Sequence, residues 1–128
     1  MNKKKQSLRL AMHCAAVASI KRYVESHLDS PALCVAAICA HSGWSRATTY
    51  RLFEPEGGLV HYVQQRRLER AFAELISGER RRRILDIALE SHFASEATFN
   101  RAFRRTFGLP PGAARARASG SASGSIRP

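Results

Sequence analysis

One nine-residue pattern occurs twice in this chain, at positions fifty residues apart. The segment SRATTYRLF covers residues 45–53, and SEATFNRAF covers residues 95–103. The two copies share a serine, an alanine, a threonine, an arginine and a phenylalanine in the same register. Each copy follows a short apolar segment and a break, at Gly43 in the first copy and at His92 in the second. The sequence therefore predicts two helix-turn-helix units, because a short helix, a tight turn and a second, serine-capped helix make up that motif.

Helical spacing separates each copy into an inward and an outward face. The positions predicted to face the core are 49, 52 and 53 in the first copy and 99, 102 and 103 in the second. The outward positions are 46, 47, 50, 51 and 54 in the first copy and 96, 97, 100, 101 and 104 in the second. Ser45 and Ser95 are predicted N-caps, since a serine hydroxyl accepts a hydrogen bond from the first turn of a helix. Both outward faces present small residues, a hydrogen-bonding side chain and an arginine. That pattern favours DNA binding over a duplicated helical bundle that binds none.

The charge of the chain supports a polyanionic partner. Lys and Arg total 21 against 10 Asp and Glu, which gives a formal charge of +11. Such a balance is typical of nucleic-acid binding and less often of binding to an anionic membrane surface. The longest apolar run covers residues 32–40, which is too short for the roughly 20 residues of a membrane-spanning helix. The three cysteines suggest no disulfide framework and no secretory leader is evident, so we expect a cytoplasmic protein.

The chain reads as all-α, since no segment alternates apolar and polar residues over the length of a strand. The predicted organisation is a loose basic N-terminal arm at 1–14, a first lobe at 15–58, a linker helix at 59–76, a second lobe at 77–117 and a flexible Ser/Gly tail at 118–128.

Six short motifs narrow this interpretation. They are Ile38-Cys39-x3-Gly43-x-Ser45, Arg51-x-Phe53, Arg67-Leu68-x-x-Ala71, Ile87-Ala88-x4-Phe93, Phe99-x-Arg101-x-Phe103 and Gly108-x-x-Pro111-x3-Arg115. With these motifs the chain resembles the DNA-binding domain of AraC/XylS-type bacterial transcription regulators, over about residues 17–115.

The resemblance implies about seven helices in two homeodomain-like helix-turn-helix lobes, joined by one long helix. It implies a sequence-specific, double-stranded-DNA-binding regulator whose two recognition helices enter successive major grooves, with the protein acting as a monomer in the nucleoid. Activation through RNA polymerase is implied in the same way. Most members of the family carry an N-terminal effector or dimerisation domain, for which this chain has no room. A stand-alone regulator and a fragment of a longer one both stay open.

The resemblance also assigns residues by position. The base-reading residues would be Ala47, Tyr50, Arg51, Ala97, Thr98, Asn100 and Arg101. The phosphate-binding residues would be Arg46, Arg66 and Arg104. The chemistry suits these roles, because Arg binds guanine bidentately, Asn binds adenine, and Ala or the Thr methyl can touch the methyl group of thymine. Glu96 lies on the same outward face as the second set.

Four positions depart from the family pattern. His92 stands where a glycine is usual, at a turn where a positive φ is expected. Thr49 replaces a core leucine, Cys34 replaces a capping serine, and Ala114 replaces an aromatic residue. Together these departures predict a less stable domain.

Other functions fit the sequence less well. Cys34-x4-Cys39-x-His41 does not have the spacing of a zinc site, and we predict no metal and no cofactor. No nucleophile elbow, phosphate-binding loop or carboxylate pair indicates an enzyme. The arginine run at 80–83 is interpreted as a solvated or phosphate-contacting face, and Trp44 and Phe93 as packing residues in preference to base-stacking ones. The alternative function is a non-specific basic nucleic-acid-binding protein, or an inactive fragment of a longer AraC-type regulator.

Overall fold

The computed structural model describes residues 2–77 and 82–124, with side chains over 3–77 and 82–119. Its helices are α1 Asn2–Ser26, α2 Val35–Ser42, α3 Arg46–Leu52, α4 Leu59–Ser77, α5 Ile84–Glu90, α6 Glu96–Phe107 and α7 Pro111–Gly124, with a 3-10 turn at Glu54–Glu56. These ranges contain seven α-helices and no strand, so the predicted all-α fold is confirmed.

The chain divides into two compact units, Met1–Gln64 and Gln65–Pro128, and the boundary falls within α4. The two halves of α4 contribute to different cores. Leu59 near its start is buried with the first unit, and Leu68, Ala71 and Leu75 are buried with the second. The helical period of these buried positions explains why one continuous amphipathic helix forms here.

The core of the first unit is mainly aliphatic. Ile20 and Val24 of α1 and Leu28, in the turn after it, recur at a spacing of four residues and pack with Ile38 of α2. Leu52 and Phe53 close this core from the end of α3. These six side chains are at most 7% exposed, so the predicted inward face of the first copy is confirmed at 52 and 53.

Thr49 completes that inward face and is fully buried. Its hydroxyl donates a hydrogen bond of 2.8 Å to the carbonyl oxygen of Ser45 and lies 3.5 Å from the Cys39 Sγ. A threonine is therefore tolerated at this core position because a backbone acceptor satisfies its hydroxyl.

The core of the second unit is mainly aromatic. Phe99 and Phe103 of α6 are fully buried, with ring centroids 5.6 Å apart. Phe93 meets the ring of Phe99 edge-on at 5.3 Å, and Phe107 lies 4.6 Å from Phe103. Ala102 is also buried, so all three predicted inward positions of the second copy are confirmed. Such tilted and edge-on ring pairs add to the free energy gained by burying apolar surface.

Residues in the left-handed backbone region follow three of the helices, α2, α5 and α6. Gly43 follows α2 with φ +82°, and its N–H donates to the carbonyl of Cys39. Gly108 follows α6 with φ +84°. His92 follows α5 in the same region, with φ +65°, so the positive φ expected from the sequence at this position is confirmed. A residue with a Cβ is strained there, whereas glycine is not.

Both chain ends differ from the sequence-based expectation. The arm expected to be loose at 1–14 is helical from Asn2, although residues 3–15 are exposed along it. The tail expected to be flexible from 118 continues α7 as far as Gly124, while 125–128 lie outside the described residues. Pro111 at the first position of α7 and the alanines after it favour a helix, and a helix once begun extends at little cost per residue.

Candidate nucleic-acid interface

The first candidate surface is the outward side of α3. Ser45 caps this helix in an extended conformation, and its Oγ accepts a hydrogen bond of 3.1 Å from the Thr48 N–H. Arg46, Ala47, Tyr50 and Arg51 are exposed, opposite the buried side chains of the same helix. The four residues predicted here thus lie together on one face of a short, capped helix.

The second candidate surface is the outward side of α6. Ser95 caps it as Ser45 caps α3, with Oγ accepting from the Thr98 N–H at 3.1 Å. Both predicted N-caps are therefore confirmed. Ala97, Arg101 and Arg104 are exposed, whereas Thr98 and Asn100 are half-buried. Glu96 is exposed on the same side and carries a negative charge where α3 carries Arg46.

A chain of side-chain hydrogen bonds recurs in both copies. In α3, the hydroxyl of Ser45 donates to Thr48 Oγ1 at 3.1 Å, and Arg51 Nη2 donates to the same Oγ1 at 3.3 Å. In α6, Ser95 Oγ and Thr98 Oγ1 lie 3.0 Å apart, and Arg101 Nη2 donates to Thr98 Oγ1 at 3.5 Å. Both arginines predicted to read bases therefore contact the threonine one helical turn before them.

Asn100 is placed differently from the other predicted readers. Its Oδ1 is buried and has no hydrogen-bond partner among the described residues. A buried acceptor without a partner costs on the order of 1–3 kcal/mol. Reading adenine bidentately requires both Oδ1 and Nδ2 at the base edge, so the side chain has to rotate outward before it can do so.

Several basic side chains are held in ion pairs within the protein. Lys21 Nζ lies 2.9 Å from the Glu56 carboxylate, and Arg82 bridges the carboxylates of Glu74 and Glu90. The role of Arg82 was missed by the sequence analysis, which treated residues 80–83 as one solvated or phosphate-contacting run. Residues 80 and 81 themselves lie outside the described residues.

Arg83, the last of that run, pairs with Asp86 three residues further along the chain. The Asp86 carboxylate accepts a hydrogen bond from the Arg83 guanidinium, and this bond together with the charge of Asp86 raises the pKa of Arg83. Because Arg83 is 76% exposed, water screens the pair and its contribution to stability is small.

The arginines on the two candidate surfaces have no such pairing. Within the described part of the chain, no carboxylate pairs with the five arginines of α3 and α6, which are Arg46, Arg51, Arg101, Arg104 and Arg105. Arg66, predicted to bind phosphate from α4, instead forms an ion pair with Glu69. Cationic groups without an internal counter-charge can neutralise phosphates, which makes α3 and α6 the stronger candidates for DNA contact.

Trp44 and Phe93 occupy corresponding breaks but differ in burial. Phe93 is 8% exposed and packs in the second core, as predicted. Trp44 is 41% exposed, so the prediction that it packs between helices was wrong. The two breaks also differ in spacing, since Trp44 directly precedes its capping serine whereas Ala94 intervenes between Phe93 and Ser95. That extra residue is the sequence signal that the two breaks are not equivalent.

Comparison with known proteins identifies the family. The profile described as "Helix-turn-helix domain" matches residues 38–117. The regulatory protein SoxS of Salmonella typhimurium is 34% identical over 101 residues, which cover 77% of this chain and 92% of SoxS. The chain belongs to the AraC/XylS family. The transcriptional regulator Rob of the same organism is 37% identical to this AraC-type chain over 108 residues, which cover 83% of this chain and 36% of Rob.

A solved structure resembles the AraC-type chain over most of its length. It is an AraC-type DNA-binding-domain regulator from Chromobacterium violaceum, with a TM-score of 0.76, 26% identity, and coverage of 84% of this chain and 96% of that one. The family consists of DNA-binding transcription regulators, which are generally not enzymes. The AraC-type chain is accordingly a DNA-binding protein of transcription regulation, with the duplicated helix-turn-helix fold expected from its sequence.

Within the described ranges no helix is long and apolar enough to cross a membrane. No three His, Cys, Asp or Glu side chains described there are grouped so that they could hold a metal ion.

Proposed function

We propose that this AraC-type chain binds a bipartite site in double-stranded DNA, with α3 and α6 entering successive major grooves. The proposed lobes are 15–58 and 77–117, and the proposed linker helix is 59–76. Two helix-turn-helix units on one polypeptide would meet half-sites about one helical turn apart, as a helix-turn-helix dimer does.

Base reading in this proposal depends on the exposed side chains of α3 and α6. Arg51 and Arg101 would each donate two hydrogen bonds to guanine, and Asn100 would read adenine. The exposed Ala47 and Ala97, with Tyr50 and the methyl group of Thr98, would contact base edges beside them. Arg46, Arg104 and Arg66 would bind phosphates, which set register without specifying sequence.

The observation that carries this proposal is the repeated outward surface. Two helices with the same serine cap bury the same three positions and expose an alanine and an arginine at the same offsets. A small residue followed by an arginine one turn later suits a base-reading face, because the small side chain lets the helix approach the base edges and the arginine can then reach them.

Selection from a random duplex library tests the proposal directly. The purified chain is mixed with random-sequence duplexes at near-physiological salt, and the retained DNA is sequenced. We expect two short motifs with centres about 10–10.5 bp apart. Retention without a motif, or only at low salt, would contradict the proposal and support the non-specific basic binder. No retention at any salt concentration would support the inactive fragment.

We also propose that the chain activates transcription from the promoters that it binds. The resemblance to AraC/XylS regulators supports an activator that contacts RNA polymerase, binds DNA as a monomer and acts in the cytoplasm on the nucleoid. In vitro transcription from a promoter that carries the selected site tests the sign. A rise in transcript on addition of the chain is expected, and a fall would make it a repressor. Titration of the chain on the selected duplex should reach one protein per duplex.

A further inference from the structure

We propose that Thr48 and Thr98 are positioning residues, whose hydroxyl groups hold the base-reading arginines in place before DNA binds. This inference rests on the proposed function, because it assigns how Arg51 and Arg101 are oriented for the task proposed for them. The Thr98 methyl group keeps its proposed contact with thymine, and the new role belongs to the hydroxyl.

The contacts place each threonine between a fixed cap and a long arginine. The cap itself is anchored, because Ser45 and Ser95 each accept the N–H of the threonine three residues later. The threonine Oγ1 then lies 3.1 Å or 3.0 Å from the serine Oγ in the two copies. Because a β-branched side chain is stiff at χ1, this second contact fixes where the oxygen points. The arginine therefore meets an acceptor in a defined position.

The same contact in both copies argues against a chance arrangement. The positions around it differ in chemistry, since Arg46 corresponds to Glu96 and Tyr50 corresponds to Asn100. The threonine-to-arginine contact is nevertheless present twice, at 3.3 Å in α3 and 3.5 Å in α6. Residues three apart are neighbours on a helix surface, so both arginines can keep this contact while their guanidinium groups face outward.

The hydrogen-bonding capacity of arginine allows both contacts at once. A guanidinium has five N–H donors, and the threonine takes one of them through Nη2. Bidentate binding to the O6 and N7 of guanine needs two more. Because an exposed arginine loses rotamer freedom when it is immobilised on DNA, a hydroxyl that restricts it beforehand raises affinity for the correct base.

Removing the hydroxyl from α6 tests the role of Thr98. Thr98→Val keeps the β-branched shape and the N–H that Ser95 caps, and Thr98→Ser keeps the hydroxyl without the methyl group. Each is measured against the selected duplex and against duplexes altered at each base pair. We expect Thr98→Val to bind the selected site about three- to tenfold more weakly, and to lose preference at the base pair that Arg101→Ala also affects. Thr98→Ser should lose only the contact of the methyl group with thymine, and should keep the preference at the base pair that Arg101→Ala affects.

Two controls separate positioning from structure. Thr106→Val removes another hydroxyl of α6, which accepts a hydrogen bond from Gln65, and should leave every base preference unchanged. When Arg101 is already alanine, adding Thr98→Val should cause no further loss of preference at that base pair, because the arginine that Thr98 positions is gone. The same pair of measurements applies to Thr48→Val with Arg51→Ala in α3.

The outcomes distinguish this inference from the proposed function. If the unaltered chain shows no sequence preference, the proposed function fails and this inference fails with it. If the unaltered chain has a preference that Thr98→Val retains, only the inference is overturned. It is equally overturned if Thr98→Ser loses the preference at the base pair of Arg101 as Thr98→Val does, since the hydroxyl is then not responsible. It is also overturned if Thr98→Val reduces that preference further when Arg101 is already alanine.

Discussion

His92 holds a φ of +65° at the break of the second unit, where Gly43 holds +82° at the break of the first. The two residues follow corresponding helices, α5 and α2, five positions after Ile87 and Ile38. A Cβ added at Gly43 would meet no atom within 4 Å. The turn therefore has room for a side chain, and what disfavours one is the left-handed backbone itself.

This relationship predicts that His92→Gly stabilises the protein. Glycine removes the strain of a left-handed residue, and the net gain in the free energy of unfolding should be about 1 kcal/mol. Urea unfolding followed by circular dichroism measures it. The reciprocal variant Gly43→Ala should destabilise by about the same amount. A less stable His92→Gly protein would mean that contacts of the imidazole outweigh the strain of its backbone.

A substitution of Cys34 at the start of α2 should raise the stability of the protein. This residue occupies the N-cap in an extended conformation, but its side chain makes no capping hydrogen bond. Cys34→Ser supplies a hydroxyl that can accept from the first turn and should stabilise by about 0.5–1 kcal/mol. Cys34→Ala should change little, because the thiol that it removes caps nothing. Thermal unfolding of both variants checks the prediction, and equal midpoints for the serine and alanine variants would contradict it.

The bridging position of Arg82 predicts a salt-sensitive contribution to stability. Arg82 is 20% exposed and joins Glu74 of α4 to Glu90 of α5, so its removal leaves two carboxylates without their shared counter-charge. Arg82→Ala should destabilise by about 1 kcal/mol at low salt and by less in 1 M NaCl. Arg83→Ala, which breaks only an exposed pair, should have no measurable effect. If Arg82→Ala and Arg83→Ala lowered the free energy of unfolding equally, the bridge made by Arg82 would have no special role in stability.

Arginines proposed to read bases and arginines proposed to bind phosphate should behave differently in DNA binding. Arg51→Ala and Arg101→Ala should each lose about 1–3 kcal/mol on the selected site and relax preference at one base pair. Arg104→Ala should weaken all sequences alike and lower the slope of log K against log salt by about one. Competition binding at three salt concentrations separates the two patterns. If Arg51→Ala weakened every sequence equally, its base-reading role would be wrong.

Arg66 offers a matched test of phosphate binding on α4, because Glu69 competes for its guanidinium. Arg66→Ala should weaken binding to all duplexes, and Glu69→Gln should strengthen it without changing sequence preference. Both effects should fade as salt rises. A Glu69→Gln protein with unchanged affinity would contradict competition between Glu69 and DNA for Arg66.

Asn100 should show opposite effects on stability and on recognition. Asn100→Ala removes a buried amide oxygen that has no partner among the described residues, and alanine favours the helix interior. We expect an increase of about 1 kcal/mol in the free energy of unfolding, together with weaker preference for adenine at one position of the selected site. Unfolding experiments on this variant test the predicted gain in stability, and selection experiments test the predicted loss of preference for adenine. A destabilised variant would show that water or rotation already satisfies the amide.

Much of the fold could be predicted because the signals are local. Which side of α3 and α6 is buried follows from a period of 3.6 residues, and Leu52, Phe53, Phe99 and Phe103 are buried as that period requires. The capping by Ser45 and Ser95 depends on atoms within one helical turn, so the sequence contains everything needed to predict it.

Other features depend on groups that are distant in sequence or on the path of the chain. The local sequence could not show that Arg82 meets Glu74 and Glu90, because those carboxylates lie on different helices that only folding brings together. The exposure of Trp44 depends on which side chains pack around it, and its counterpart Phe93 is buried although each directly follows the left-handed residue of its turn.

Periodicity and capping along the chain thus determined the helices between the two chain ends, the inward faces and the two outward surfaces, since each depends on neighbours a few residues away. Tertiary packing decided the ion pairs between residues distant in sequence, which are those of Lys21 with Glu56 and of Arg82 with Glu74 and Glu90. It also decided which amide oxygen is buried and whether an aromatic side chain is covered. These properties depend on the distances and the solvent exposure that packing creates, which no local pattern contains.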